Sequence, residues 1–441
     1  MKKYLYGASA FALATTIGAQ AALADVTLLF WPGPESEAMQ QVIDAFNEGP
    51  GQELGFEVEQ LLFSRQGFFD KELSDLAAGS TEFDLALVTT YTLGRYAPFL
   101  EPLDGYLDAD VSNHFASVAL DSLSADGSIY GVPTDISVHF AYYRNDLIDE
   151  LMSNPDWQAR YSEIAAEHLG EARDPVAPDD WTWDDYIATA LFFTQSINPD
   201  SPTQFGSALQ LQNLIFNIMI WQSTLVSNGG NWMDADGNIT IDSDAARTGL
   251  NIYQTIIDSG ATPPGSLSYE FAEANAAFGT GRAATTLQWN AAFNIVNDPN
   301  EYPETGGLVG VAPMPAGPEG HRTHSHSLGI GMNAASENKD EAGQFLNYLA
   351  SIEAQEIYAA AGGTPAVPSI LEGMSDVRPE FPLIGQFAAD YGFVINGGTA
   401  AYAVPVYEVL AQEFSGYWSG QIDIDTALSQ AADGMAQAIA Q

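Results

Sequence analysis

Residues Leu308–Pro368, LVGVAPMPAGPEGHRTHSHSLGIGMNAASENKDEAGQFLNYLASIEAQEIYAAAGGTPAVP, decide how the rest of the chain is read. Leu308 to Ala312 is a short β-branched run stopped by Pro313 and Pro315, and Leu328 to Met332 is a second apolar run, so both are expected to be strands. Two helices should follow. Ser336 is placed to cap the first, where Ala342, Phe345, Leu346 and Leu349 recur at i, i+3, i+4 and i+7. Ala354, Ile357, Tyr358 and Ala361 repeat the spacing in the second, and Gly362-Gly363 ends it.

Upstream, Val26 to Trp31 is a continuous apolar run of the kind a strand buried on both faces requires, broken by Pro32-Gly33-Pro34. Met39, Val42, Ile43 and Phe46 then mark a helix, Phe56–Phe63 a strand, Phe69–Ala78 a helix and Phe83–Val88 a third strand. This alternation implies a parallel sheet covered by helices, hence an α/β fold. Ligands of such sheets lie beyond the carboxyl ends of the strands, which points to Trp31–Glu35, Ser64–Gln66 and Thr89–Tyr91.

The 441 residues are too many for one small domain. Residues 1–24 carry Lys2 and Lys3, a small apolar run and the ending Ala22-Leu23-Ala24, the pattern of a secretory signal peptide cut before Asp25. Cysteine is absent, which excludes disulfides and the acylated cysteine of a lipoprotein, so a free periplasmic protein is expected. Asp and Glu number 58 against 13 Lys and Arg, a net charge of -45. Such a field repels phosphate backbones and anionic lipid, so no nucleic-acid partner is expected, and it matches the acidic, lysine-poor surfaces of proteins from salty media.

The order strand, strand, helix, helix, with its Asn333–Ser336 turn and Gly-Gly-Thr-Pro close, resembles the maltose-binding-protein class of extracellular solute-binding proteins that serve ABC importers. The segment Phe271–Trp289, with its Gly-x-Gly-Arg and its strand ending in tryptophan, and the pair of helices in Tyr402–Gln441 are similar to that family too. Its fold would be the type II periplasmic binding protein fold, two α/β lobes joined by a hinge with three crossings. The implied N-terminal lobe is 25–136 plus 314–378, and the C-terminal lobe is 137–313 plus 379–441. The resemblance further implies a monomer that binds a small-molecule carbohydrate between the lobes, without cofactor or chemistry, and delivers it to the ABC permease's transmembrane subunits. Glu35 and Val88 depart from the family's maltose-binding pattern.

Sugar clefts combine aromatic faces with a few polar groups that fix orientation. Trp31 and Trp289 end strands at the expected cleft edge, and Trp221 and Trp232 are further aromatic candidates. The polar candidates are Gln66, Thr90, Tyr91 and Asp135, the last at the expected hinge after Gly-Val-Pro-Thr. His326 starts a strand, while likeness to the family adds Gly363, Thr364 and Tyr407. Two alternatives stand beside this reading. One is a secreted glycoside-acting enzyme with the same cleft, since 58 carboxylates offer many pairs. The other is a metal receptor built on His321, His324 and His326. The stretch Asp234–Asp244 fails the calcium-loop template, with glycine at the fourth position, and is expected to be a hairpin turn.

Overall fold

The computed structural model describes residues 26–108 and 113–440; the signal-peptide reading of residues 1–24 lies outside the described residues. The first lobe opens with β1 (Val26–Phe30), β2 (Val58–Leu62), β3 (Leu85–Thr89) and the short β4 (Leu100–Glu101). A small hairpin, β5 (Ser124–Ala125) with β6 (Ser128–Ile129), leads to β7 (Val132–Ser137). After Val138 the chain enters a second sheet made of β8 (His139–Arg144), β9 (Phe205–Ala208), β10 (Ala283–Trp289) and β11 (Val309–Ala312). It returns through β12 (Thr323–His324) to β13 (His326–Asn333), and β14 (Gly392–Phe393) later pairs with β12. The first sheet runs β2-β1-β3-β13-β4 with β7 also on β13, and the second runs β11-β8-β10-β9.

The apolar runs form strands for the reason their composition gives. All five residues of β3 are buried, and β1 is buried except at half-buried Thr27, so neither has a solvated face that would need alternation. The helix Pro34–Glu48 buries Met39, Val42, Ile43 and Phe46 on one stripe, and Phe46 packs edge-on against Phe345 at 5.2 Å. Phe345 belongs to the helix Lys339–Leu349, which buries Ala342, Phe345, Leu346 and Leu349 as their spacing requires. That helix starts later than expected. Asp84 accepts a 2.6 Å hydrogen bond from the Ser336 hydroxyl, which in turn accepts from the Asn338 amide, so Ser336 ties the turn to the sheet and Asn338 takes the cap position.

β1, β2 and β3 are parallel, but β13 enters antiparallel to both β3 and β7. Local periodicity does not encode this, because β13 arrives from the other lobe. Pairing of His326 with Ser137 and Ser327 with Ile136 lays two crossings side by side as a two-stranded ribbon. A bulge between Leu328 and Gly329 bends the ribbon, and Gly329 has no room for a side chain there, since a Cβ would stand 2.7 Å from the Val132 carbonyl oxygen. The expected boundary at 313/314 falls inside a segment still tied to the second lobe: Ala316 bridges Thr182, and Glu319 N donates to Ser227 O. Sheet pairing brings the chain back only at His326. The Asp234 loop closes as expected, with Met233 and Ile239 bridged antiparallel.

The third passage runs from the helix Pro368–Gly373 to the helix Phe381–Tyr391, whose Phe387 packs on Phe140 of β8 at 5.4 Å. Arg378 anchors it. Its Nε meets Glu380 at 2.5 Å, its Nη1 donates to Ala359 O at 3.0 Å, and its guanidinium lies 4.0 Å over Phe381. Both partners are buried, so removing one strands an uncompensated charge. Arg378→Met should lower the unfolding free energy by about 3–5 kcal/mol in denaturant titration, and Arg378→Met/Glu380→Leu should recover much of that loss.

Candidate functional site

Where β1 and β10 end, four of the sequence candidates converge on one small interlobe cavity: Trp31, Tyr91, Trp289 and His326. Trp31 follows β1 and is held edge-on by Phe68 at 5.3 Å and Phe69 at 5.8 Å. Trp289 ends β10 and packs edge-on against His139 at 4.1 Å and His326 at 5.1 Å. Tyr91 meets His326 at 5.2 Å, and burial holds its phenol well above the usual range, so it stays a neutral hydroxyl. The enclosed volume is about 20 Å³, room for about one water. The lobes therefore stand closed, and a solute enters only as they part about the hinge.

Three further wall residues carried weak signals or none in the sequence. Arg65, in the loop after β2, lays its guanidinium over the edge-on pair of Trp31 (5.0 Å) and Phe216 (4.5 Å). Phe216 starts the helix Ile215–Ser227, which is buried on nearly every side, so no apolar stripe singled out the residue that faces the cleft. Glu35 lies in the first turn of the helix Pro34–Glu48 and lines the cavity with them. Glu270, capping the helix Phe271–Gly279 of the second lobe, approaches Arg65 to 3.4 Å without forming a hydrogen bond. Arg65 and Glu35 fall inside the strand-end loops marked above, Ser64–Gln66 and Trp31–Glu35, whereas nothing in the sequence pointed to Phe216 or Glu270.

Buried polar atoms without partners gather around this cavity: Trp31 Nε1, Trp289 Nε1, Glu35 Oε2 and His326 Nδ1, beside the Arg65–Glu270 ion pair, which makes no hydrogen bond. Such groups cost about 1–3 kcal/mol each when left unmade, so four at one place, drawn from both lobes, mark a site built to bond something else.

The other candidates lie elsewhere. Gln66 lines an adjoining outer chamber. Asp135 spends its carboxylate within the hinge, accepting from the Tyr358 hydroxyl and from the Thr364 amide at 3.0 Å. Burial raises its pKa to about 7, with the charge on Glu35 adding to the rise. Thr364 also takes a bond from Asn290 at 3.2 Å, and Gly363 packs so closely on Tyr358 that a Cβ would stand 2.1 Å from the ring. Thr90 bonds the Ser327 amide at 2.9 Å. These four residues hold the crossings. Trp221 packs on Phe414 at 4.7 Å and Trp232 on Tyr407 at 4.5 Å, inside the second lobe. Tyr407 donates to Gln222 at 3.3 Å and meets Tyr91 at 6.2 Å.

The histidine trio His321, His324 and His326, on which the metal-receptor alternative was built, does not assemble. His321 bonds Met314 O and packs on Tyr391, while His139 takes its place, 5.8 Å from His324. Among the described residues no group of three or more His, Asp or Glu is placed to hold a metal ion, which removes the basis of the metal-receptor alternative.

With this fold and site in view, the likeness is specific. The model of the bacterial extracellular solute-binding protein family matches residues 32–356, and the chain belongs to that family. A putative binding protein of Brucella abortus is 27% identical over 320 residues, covering 72% of this chain and 68% of its own. A probable amino-acid ABC transporter periplasmic-binding protein of Sinorhizobium fredii is 24% identical over 84% of this chain and 83% of its own. The mannitol-binding protein of Pseudomonas aeruginosa is 22% identical, over 82% of each. Among solved structures, a maltose-bound protein of T. maritima superposes with a TM-score of 0.77 at 24% identity, over 93% of this chain and 99% of its own, which carries the type II two-lobed fold. The chain is thus a solute-binding protein of the kind that serves ABC transporters.

His139, His324 and His326 are fully buried at the hinge, and five of their six ring nitrogens have no partner. Burial drives all three below the ordinary histidine range, His324 to about 3, and mutual repulsion adds to it at His139 and His326. A base whose folded pKa is depressed stabilises the fold above its unfolded pKa and costs stability as pH falls below about 6.5. His324→Phe should therefore gain stability relative to the parent by about 1.4 kcal/mol per pH unit between pH 6 and 4. Parallel denaturant titrations across that window check it; a pH-independent difference would show that His324 has a proton partner.

Proposed function

We propose that the protein binds a neutral, polyhydroxylated solute, a sugar or polyol, between its lobes and hands it unaltered to the membrane subunits of an ABC importer. The observation that carries this reading is the mixture of donors and acceptors around one cavity: two unpaired indole N–H groups and an unpaired Glu35 oxygen beside the loose Arg65–Glu270 ion pair. A hydroxyl both donates and accepts, so a run of hydroxyls satisfies such an alternation. An anion would face two carboxylates, and a cation would face a guanidinium and two N–H groups. A zwitterionic amino acid needs separate charged poles, whereas Arg65 and Glu270 stand only 3.4 Å apart. The flanking faces of Trp31 and Trp289 suit the C–H surface of a sugar or alditol.

The mannitol-binding relative and the maltose-bound structural neighbour support this solute class, and the family's membership of binding proteins supports binding without turnover. A free, monomeric periplasmic protein is part of the same reading, with Trp31, Tyr91, Trp289 and His326 as ligand-facing residues, joined by Arg65 and Glu35.

Thermal-shift and calorimetric titration against alditols, monosaccharides, disaccharides and amino acids test it. A polyhydroxylated solute should raise Tm with its concentration, as linkage requires, and be recovered chemically unchanged. Trp289→Ala should weaken that binding by at least about tenfold while leaving the circular dichroism spectrum intact. A response confined to amino acids, or release of a cleaved sugar, would overturn the proposal.

A further inference from the structure

Beyond the inner cavity lies an outer chamber of about 270 Å³, lined by polar groups that include Gln66, Asp70, Asn213, Glu408 and Gln412. Two residues are common to both linings, Arg65 and Phe216. They form one wall. Arg65 reaches across from the first lobe, its flat guanidinium pressed against Phe216 of the second at 4.5 Å, backed by Trp31 at 5.0 Å and aligned by Glu270 at 3.4 Å. Trp31 and Phe216 themselves meet edge-on at 5.9 Å, which closes the wall beneath the arginine.

From this geometry we propose that Arg65 sets the length of the ligand. It partitions a cleft that would otherwise run continuously from the Trp289 end into the outer chamber, and so limits the solute to one sugar or alditol unit. The inference rests on the polyhydroxylated reading above and deepens it. Packing of a cation on an aromatic ring is strong when partly desolvated, and a planar guanidinium covers the Phe216 ring where lysine offers charge without the flat face. Removal of the arginine side chain joins the two spaces, and the polar lining of the outer chamber then offers hydroxyl partners to a second unit. Glu35 and Glu270 remain to bond the first.

The experiment compares wild type, Arg65→Ala and Arg65→Lys by isothermal titration with mannitol, glucose, maltose and lactose, with circular dichroism to confirm folding. Wild type should bind the best one-unit ligand at least about tenfold tighter than either disaccharide, and Arg65→Ala should shrink that ratio about tenfold or invert it. Arg65→Lys should behave like Arg65→Ala, since the wall depends on the flat face. A structural role alone would weaken all four ligands equally, so an unchanged ratio overturns the proposal. Disaccharide binding by wild type as tight as that of mannitol or glucose also overturns it, while leaving the solute class standing. Silence of all three proteins across the panel overturns both.

Discussion

The molecule depends on the antiparallel pairing of β7 with β13, two strands that each leave one lobe for the other. Placed side by side, they turn two single-chain crossings into a hydrogen-bonded ribbon, with Ser137 opposite His326 where the lobes meet. A lone extended segment would let the lobes drift. A paired one restricts them to bending about a line, the motion that a hinged binding protein needs. Each flank of the ribbon is then pinned: Thr90 to Ser327 on one side, and Asp135 to Tyr358 and Thr364 on the other.

The same ribbon explains the chemistry of the cavity floor. His326 begins β13 directly after a crossing, and Trp289 ends β10 paired with His139, the first residue after another, so their side chains stand at the junction of the two sheets. Both are largely shielded from water, yet one nitrogen on each lacks a partner. On the proposed reading, closure onto a polyhydroxylated solute would replace those missing bonds and bury its hydroxyls against aromatic surface, so that bonding and desolvation would favour the closed state together. A solute with too few hydroxyls would leave the donors of both lobes unmet, at a cost comparable to what the stacking returns.

Much of the fold was readable because buried parallel strands announce themselves as unbroken apolar runs, as in Val26–Phe30 and Leu85–Thr89. Trp31 and Trp289 were readable as cleft residues for a related reason: each stands where such a run stops, and strand ends are where α/β sheets present side chains. Asp135 was visible as unusual, but its partner Tyr358 lies 223 residues away, so its role in the hinge belongs to tertiary structure. Phe216 illustrates the opposite limit. In a helix apolar on every side, only docking against the other lobe decides which residue meets the cleft. The antiparallel entry of β13 was hidden likewise, since strand order within a sheet leaves no mark on the periodicity of the strand itself.

The charge of the chain sharpens the reading of the site. Lys71 pairs with Asp75 and Glu82, and Lys339 with Glu101, in partly exposed positions where salt screens such pairs to little value. Arg65 is held differently, against the rings of Trp31 and Phe216, where its largely buried side chain makes the attraction less open to screening. A net charge of -45 would draw any cation toward the surface without discrimination and repel any anion before it reached the cleft. A neutral hydroxylated solute is indifferent to that field. Recognition of the proposed solute would rest on short-range bonds and stacking inside the closed lobes, which would let the surface stay densely acidic without bearing on what the cleft selects.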